Sequence, residues 1–324
     1  PGQSHLAAVE GASHPNQLLA RPATAVNHIA TAETKRTFVP VAEIGIQIAQ
    51  NARDLRNGLK PEDKLMTGFR RLNQITGGLQ PSDLIVLGGR PGMGKSAFAG
   101  QLALDAARLN AGAVVAIFSL EMSKEQYVRR LISNLAEVPE IMVKSGQMND
   151  EHLRRVDQAN VAFADLGIFI DDASSHSGTS MRSQLLRLQH ERKRLDLVVV
   201  DYIQRMVSTH RHAQASRQQE VSRIAQDLKT IAKDFNVPVL ALSSMSRANE
   251  NRAEPRPKMS DLRESGDIES EADMVALMYR PGHYDGSTPA ANTELIIDKN
   301  RHGPTETIKI RYAGNRYQFI DEDW

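Results

Sequence analysis

Residues 89–97 read Gly89-Arg90-Pro91-Gly92-Met93-Gly94-Lys95-Ser96-Ala97, directly after an apolar run and directly before an amphipathic one. This order of strand, glycine-rich turn and helix is what a phosphate-binding loop requires. Glycines let the backbone wrap phosphates, and the free amides of a helix N-terminus hold negative charge. Lys95 is placed to reach the terminal phosphates and Ser96 to coordinate magnesium. The expected ligand is a magnesium-nucleotide, ATP with Mg2+.

Such a loop serves kinases, switches and motors alike, so the carboxylates at neighbouring strand ends carry the next step. Asp201 closes the run Leu197-Val198-Val199-Val200, where a Walker-B acid would hold the water shell of the metal. Ser96 and Asp201 are therefore the metal candidates. Glu121 follows Val114–Leu120 and precedes Ser123 and Gln126, which have capping-box spacing. A glutamate at that strand tip is suited to orienting the attacking water. Farther along, Lys299 and Arg301 follow Leu295-Ile296-Ile297. Cations on a strand tip remote in sequence from residues 89–97 suit a finger that stabilises transferred phosphoryl charge in the next subunit; solvated surface is the other reading.

Two polar segments complete the chemistry. Residues 261–267, Asp-Leu-Arg-Glu-Ser-Gly-Asp, have the composition of an exposed loop, in which Arg263 and the backbone near Gly266 suit a single-stranded phosphate. The loop after Asp201 holds Arg205, His210, Arg211, His212 and Arg217. No third ligand lies near the two histidines, so an exposed basic loop is preferred there over a metal site.

The elements that must position these residues follow from periodicity. Strands are expected over 83–88, 114–119, 167–171, 195–200 and 237–243, alternating with helices, which is the pattern of a mostly parallel sheet flanked by helices. Val221, Ile224, Leu228, Ile231 and Phe235 step by three and four along a long helix with one buried face. Runs at 274–279, 294–299, 307–312 and 316–320, the last two joined by a turn at Gly314 and Asn315, are expected as strands added at the edge of the same sheet. The fold class is α/β.

Upstream the pattern changes. Residues 1–37 have no useful periodicity and are expected to form a mobile arm. Between Pro40 and Gly58, the spacing of Val41, Ile44, Ile48 and Leu55 predicts a short helix with an apolar stripe and no core of its own. Such a stripe packs on the adjacent domain or on a neighbouring subunit. The organisation expected is thus an arm over 1–37, a linker helix over 38–60 and one large domain over 61–324.

Composition bounds the partners. The 324 residues carry 40 basic and 39 acidic side chains, so contact with nucleic acid must come from local clusters and not from a global field. The absence of cysteine excludes disulfides, thiolate zinc sites and thiol nucleophiles. No apolar run approaches the roughly 20 residues that span a bilayer, so no membrane partner is expected and a cytoplasmic location is. Because the chain starts at Pro1, a processed form or a fragment is expected.

Taken together, five stretches resemble the C-terminal motor domain of the DnaB-type replicative helicases across roughly residues 60–320. They are Gly89–Ser96, Phe118–Ser123, Val200–Gln204, Ser260–Gly266 and Lys299–Pro304. The resemblance implies a RecA-like P-loop NTPase, a homo-hexameric ring around single-stranded DNA, and ATP hydrolysis at subunit interfaces, with primase and a helicase loader as further partners. Position by position it makes Lys95 and Ser96 the phosphate and magnesium residues, Glu121 the catalytic glutamate and Asp201 the Walker-B acid. It makes Lys299 and Arg301 the cations given in trans, and Arg263, Glu264 and Gly266 the DNA-gripping loop. The helix after Val41 then resembles a linker that packs on the adjacent protomer. Two departures stand out. Ser244 occupies the place of a glutamine thought to sense the γ-phosphate, and no N-terminal helical domain resembling the family's is present. The alternative is a RecA-like, ATP-dependent single-stranded-DNA scaffold or recombinase that does not unwind.

Overall fold

The computed structural model describes residues 38–58, 64–208, 217–245, 255–262, 266–283 and 291–321. The expected arm over 1–37 and the cluster of His210, Arg211 and His212 lie outside the described residues. The chain divides into two compact units, Pro1–Glu62 and Asp63–Trp324.

In the first unit, helix α1 spans Val41–Arg56 with Pro40 at its N-cap. Proline suits that entry because its missing N–H falls among the unsatisfied first-turn donors. Gly58 follows with φ +77°, a backbone a side chain would resist. None of the helix residues is buried, and Val41, Ile44, Ile46, Ile48 and Leu55 present apolar surface.

The second unit is built on a nine-stranded sheet among the described residues. Its strands are β1 Leu84–Gly89, β2 Val114–Ser119, β3 Gly167–Asp171, β4 Leu197–Asp201 and β5 Val239–Ser244, then β6 Met274–Tyr279, β7 Asn292–Asn300, β8 Glu306–Ala313 and β9 Gln318–Asp321. The order is β3-β2-β4-β5-β1-β6-β7-β8-β9. The first six strands in that order pair parallel, and the last three add antiparallel at one edge. β1 thus lies inside the sheet, between β5 and β6, and its C-terminal end opens the phosphate loop.

Helices α2 Arg70–Thr76, α3 Lys95–Leu109, α4 Lys124–Ala136, α5 Glu140–Ser145, α6 Asp150–Ala164, α7 Gly178–Arg192, α8 Arg217–Phe235 and α9 Gly266–Glu271 complete the unit. The runs of β1, β2, β4, β5 and β6 are apolar on both faces because both are covered, as buried parallel strands require, whereas β8 alternates and exposes Lys309 and Arg311. Ile85, Leu87, Val115 and Val199 join Phe98 and Leu102 of α3 in one core. Leu84, Val86, Val198 and Val200 join Ile224, Leu228 and Ile231 of α8 in the other.

Most expected strand limits agree to within two residues, and the differences have local causes. The strand expected to start at Val237 starts at Val239, because Val237 N–H closes the helix onto the Ala232 carbonyl and Pro238 has no amide to donate. The one expected from Leu195 starts at Leu197, since the Asp196 carboxylate accepts from the Val114 amide at 2.7 Å and ends the approach loop. The strand expected from Arg316 begins at Gln318, after a turn in which Tyr317 has φ +52°.

Candidate active site

The phosphate loop is shaped by two glycines in left-handed conformation, Gly92 at φ +80° and Gly94 at φ +98°. A Cβ on Gly94 would also sit 3.0 Å from the Phe319 ring. Gly94 is the N-cap of α3, so the first amides of a fifteen-residue helix face the loop. Lys95 Nζ donates to the Gly89 and Arg90 carbonyls at 2.8 and 3.1 Å. Burial lowers its pKa to about 8, against the charges of Asp201 and Glu121, which raise it, and of Arg90, which lowers it further. This lysine is therefore held over the loop and thinly solvated.

The parallel order brings the strand-end acids to the same place. Ser119 and Asp201 are partners in register where β2 meets β4, so Glu121 and Asp201 leave the sheet side by side. The Leu120 amide donates to the Asp201 carbonyl at 2.8 Å, and Ser119 Oγ donates to the Met122 carbonyl at 2.7 Å, closing the turn that carries Glu121. The expected capping box is present at the start of α4: Gln126 N–H donates to Ser123 Oγ and Ser123 N–H to Gln126 Oε1. Asp201 is 3% exposed. Burial raises its pKa, a hydrogen bond with Ser96 opposes this, and the charge of Glu121 adds to it.

These residues share one cavity of about 350 Å³, with Lys95, Ser96, Ala97, Glu121 and Asp201 in its wall. Pro91, Gly92 and Gly94 supply backbone, and Ser244 lies at the end of β5. The Ser244 amide donates to Gln204 Oε1 at 3.2 Å, while Gln204 Nε2 donates to Ser243 Oγ at 2.9 Å, so an amide side chain braces this strand end. An oxygen-donor pair of the Ser96 hydroxyl and the Asp201 carboxylate suits a hard divalent cation that keeps waters and phosphate oxygens as its other ligands. No cluster of three or more His, Cys, Asp or Glu able to hold a metal occurs among the described residues.

Part of this wall comes from residues outside the expected site. Arg130 of α4 lines the cavity with its guanidinium 4.7 Å from the Tyr317 ring centroid. Tyr312 and Tyr317 come from β8 and the turn after it, and Arg280 packs 4.9 Å from the Tyr312 centroid while donating to the Gly92 carbonyl at 3.2 Å. Helical spacing of Tyr127, Arg130, Leu131 and Asn134 was the only available hint for Arg130. The tyrosines gave none, because alternation in β8 says which face they share and not what that face meets.

Lys299 and Arg301 are elsewhere. Lys299 and Asn300 pair with Val275 and Met274 at the start of β6, and Met274 pairs with Ile85 near the start of β1. About 13 Å of strand separates that end from Gly89. The two cations thus stand at the end of the sheet opposite to their own phosphate loop. Arg301 Nη1 meets Asp273 Oδ1 at 2.7 Å and Lys299 Nζ donates to the Glu269 carbonyl at 2.6 Å.

Both described ends of the segment expected as an exposed loop over 261–267 differ from that expectation. Asp261 and Leu262 are buried, at 3% and 2% exposure. Asp261 Oδ2 accepts from the Lys258 amide at 2.9 Å, ending a short 3-10 turn, and Leu262 pairs with Met245 and fills the space a Cβ on Gly88 would need. Gly266 opens the short helix α9. Arg263 and Glu264 lie outside the described residues. Arg217, read as part of the basic loop, begins α8 and is bonded to Glu220 and the Gln204 carbonyl.

A sequence profile of the DnaB-like helicase C terminal domain matches residues 64–321. The chain belongs to that family. It is 35% identical over 305 residues to the replicative DNA helicase DnaC of Bacillus subtilis, covering 94% of this chain and 66% of that protein. It is 37% identical over 285 residues to the replicative DNA helicase DnaB of Geobacillus stearothermophilus, covering 88% of this chain and 62% of that one. The chain therefore spans about two thirds of the length of these relatives. Among solved structures it resembles the ATPase domain of G40P, with a TM-score of 0.81 and 28% identity over 88% of this chain and all of that one. It also resembles a DnaB-like replicative helicase described with its primase interactions, at a TM-score of 0.80 and 27% identity, over 95% of this chain and 73% of that one. The RecA-like fold expected from the sequence is thus the fold observed. No helix among the described residues is long and apolar enough to cross a membrane.

Proposed function

We propose that this chain is the ATP-hydrolysing motor of a replicative DNA helicase, working in the cytoplasm as a homo-hexameric ring that moves along single-stranded DNA and displaces the partner strand. The observation that carries this reading is the split of the machinery: Lys95, Ser96, Glu121 and Asp201 share one cavity, whereas Lys299 and Arg301 lie at the opposite end of the sheet. A site divided in this way calls for a second subunit to supply its cations.

In the proposed reaction the loop amides and Lys95 bind the β- and γ-phosphates of ATP. Ser96 and Asp201 would hold magnesium, which neutralises phosphate charge when bound. Glu121 accepts a hydrogen bond from the attacking water and takes its proton as the new P–O bond forms. The bond from Pγ to the bridging oxygen breaks, and ADP keeps that electron pair. Arg301 and Lys299 of the neighbouring subunit stabilise charge on the transferring phosphoryl group, an effect typically worth about a thousandfold or more. The turn fixed by Ser119 and the α4 cap keeps Glu121 in place for this step.

Arg263, Glu264 and Gly266 are proposed to form the DNA-gripping loop, in which Arg263 and the backbone near Gly266 hold phosphate, with affinity falling with salt along a slope of about 0.7 per phosphate neutralised. Helix α1, with its exposed apolar stripe, is proposed as the linker helix between the segment over 1–37 and the motor, and as the element that docks on a neighbouring protomer. Primase and a loader are the further partners proposed.

The test is direct. Lys95→Ala and Glu121→Ala should both abolish ATP turnover, while only the first greatly weakens nucleotide binding. Mixing Arg301→Ala with Lys95→Ala subunits should restore turnover, because some interfaces then combine a native pocket with a native finger. Absence of rescue in mixed rings whose assembly is verified by light scattering would overturn the reading.

A further inference from the structure

The finger proposed above is not a free side chain. Asp273 is 1% exposed, and its carboxylate is shared among three donors. Oδ1 accepts from Arg301 Nη1 at 2.7 Å, and Oδ2 accepts from the Leu84 amide at 2.8 Å and from Lys229 Nζ. The Asp273 carbonyl also accepts the Arg301 amide at 2.9 Å, so one residue grips Arg301 by main chain and side chain together. Lys229 is anchored in turn to the Ser82 carbonyl at 2.8 Å.

The chemistry of this contact differs from that of an exposed ion pair. The Arg301 side chain is 55% exposed, and a pair between two exposed groups would hold it loosely. Here the acceptor cannot turn, because its second oxygen is tied to a strand amide and a mostly buried ammonium. Lys229 and the bonds of Asp273 to Leu84 and Arg301 hold its carboxyl below the usual carboxylate range, against burial, which acts the other way. A guanidinium has five N–H donors, and Asp273 takes one on Nη1, leaving four for other acceptors on a side chain that is half exposed.

We propose that Asp273, locked by Lys229, is the positioning residue that orients Arg301 toward the neighbouring subunit's γ-phosphate. This rests on the reading of Arg301 as a finger given in trans. Asp273 touches no substrate; it acts through Arg301 alone. A guanidinium released from this grip samples many rotamers, and a misplacement of about 1 Å in a reacting group can cost roughly a hundredfold in rate.

The experiment compares Asp273→Asn, Arg301→Ala and the double variant in the full chain. Asp273→Asn should lower kcat by roughly ten- to a hundredfold with KM and the Kd of a fluorescent nucleotide unchanged, and in the Arg301→Ala background it should change kcat by less than about twofold. Mixed with Lys95→Ala subunits, Asp273→Asn subunits should regain turnover, since their own pockets are native and the Lys95→Ala subunits bring a native finger. If Asp273 served only the fold or its own phosphate loop through Leu84, Kd would rise and no rescue would follow. That result, obtained alongside a rescued Arg301→Ala control, overturns the positioning role while leaving the finger intact. Failure of the control as well removes the finger reading and this inference with it. If circular dichroism finds Asp273→Asn unfolded, Lys229→Met carries the same tests, because it frees one side of the carboxylate yet leaves Arg301 as its partner.

Discussion

Binding of nucleotide phosphate should weaken steeply above pH 8 because of one buried lysine. Lys95 stands over the loop with its ammonium on the Gly89 and Arg90 carbonyls, and burial has lowered its pKa to about 8. Phosphate needs the charged form, so binding above that pH must first return a proton to Lys95. With a pKa of about 8, roughly nine tenths of the free protein is charged at pH 7 and roughly one tenth at pH 9, so the affinity should fall about tenfold over that interval. The nucleotide's own phosphates contribute little to the slope there, because their last ionisation lies near pH 6. The assay is a fluorescent-nucleotide titration from pH 7 to 9.5 at constant ionic strength. A Kd that stays flat through pH 9 would refute the argument, since it would mean that Lys95 keeps its proton despite burial.

Three further predictions concern single residues of the second unit. Asp105 is mostly buried, with a pKa raised by burial to about 6 against the influence of Arg108 and Gln101, and its carboxylate leaves no room for a Cβ on Gly68. A carboxyl with a raised folded pKa favours the fold below its unfolded value near 3.8, and this contribution is lost as pH rises through 6. Asp105→Asn should therefore stabilise at pH 7.5 by up to about 3 kcal/mol in urea melts, with no gain near pH 4. Gly94→Ala forces a side chain into φ +98° beside the Phe319 ring, and calorimetry should find nucleotide binding lost while the thermal transition persists. Ser119→Ala frees the Met122 carbonyl and with it the Glu121 turn, so kcat should fall with nucleotide Kd unchanged; an unaltered kcat would remove Ser119 from the positioning of Glu121.

Much of the site was legible because it is local in sequence. Gly89–Ser96 is a contiguous strand-turn-helix, and Asp201 and Glu121 each close an apolar run, so composition alone pointed to strand ends. At Asp261 polarity does not mean exposure. Asp261 is polar and buried because its carboxylate satisfies the turn at Lys258, a contact that no composition window contains.

Strand positions were legible in the chain because a strand covered on both faces is apolar throughout, as in β1 and β4, and a one-sided strand alternates, as in β8. Which residues stand together follows from strand pairing. Strand order set Glu121 beside Asp201, carried Tyr312 and Arg280 to the phosphate loop, and put Arg301 on Asp273 at the far end of the sheet. The physical reason is that periodicity fixes the face a side chain takes along its own strand, whereas its neighbours across the sheet depend on pairing between segments far apart in the chain.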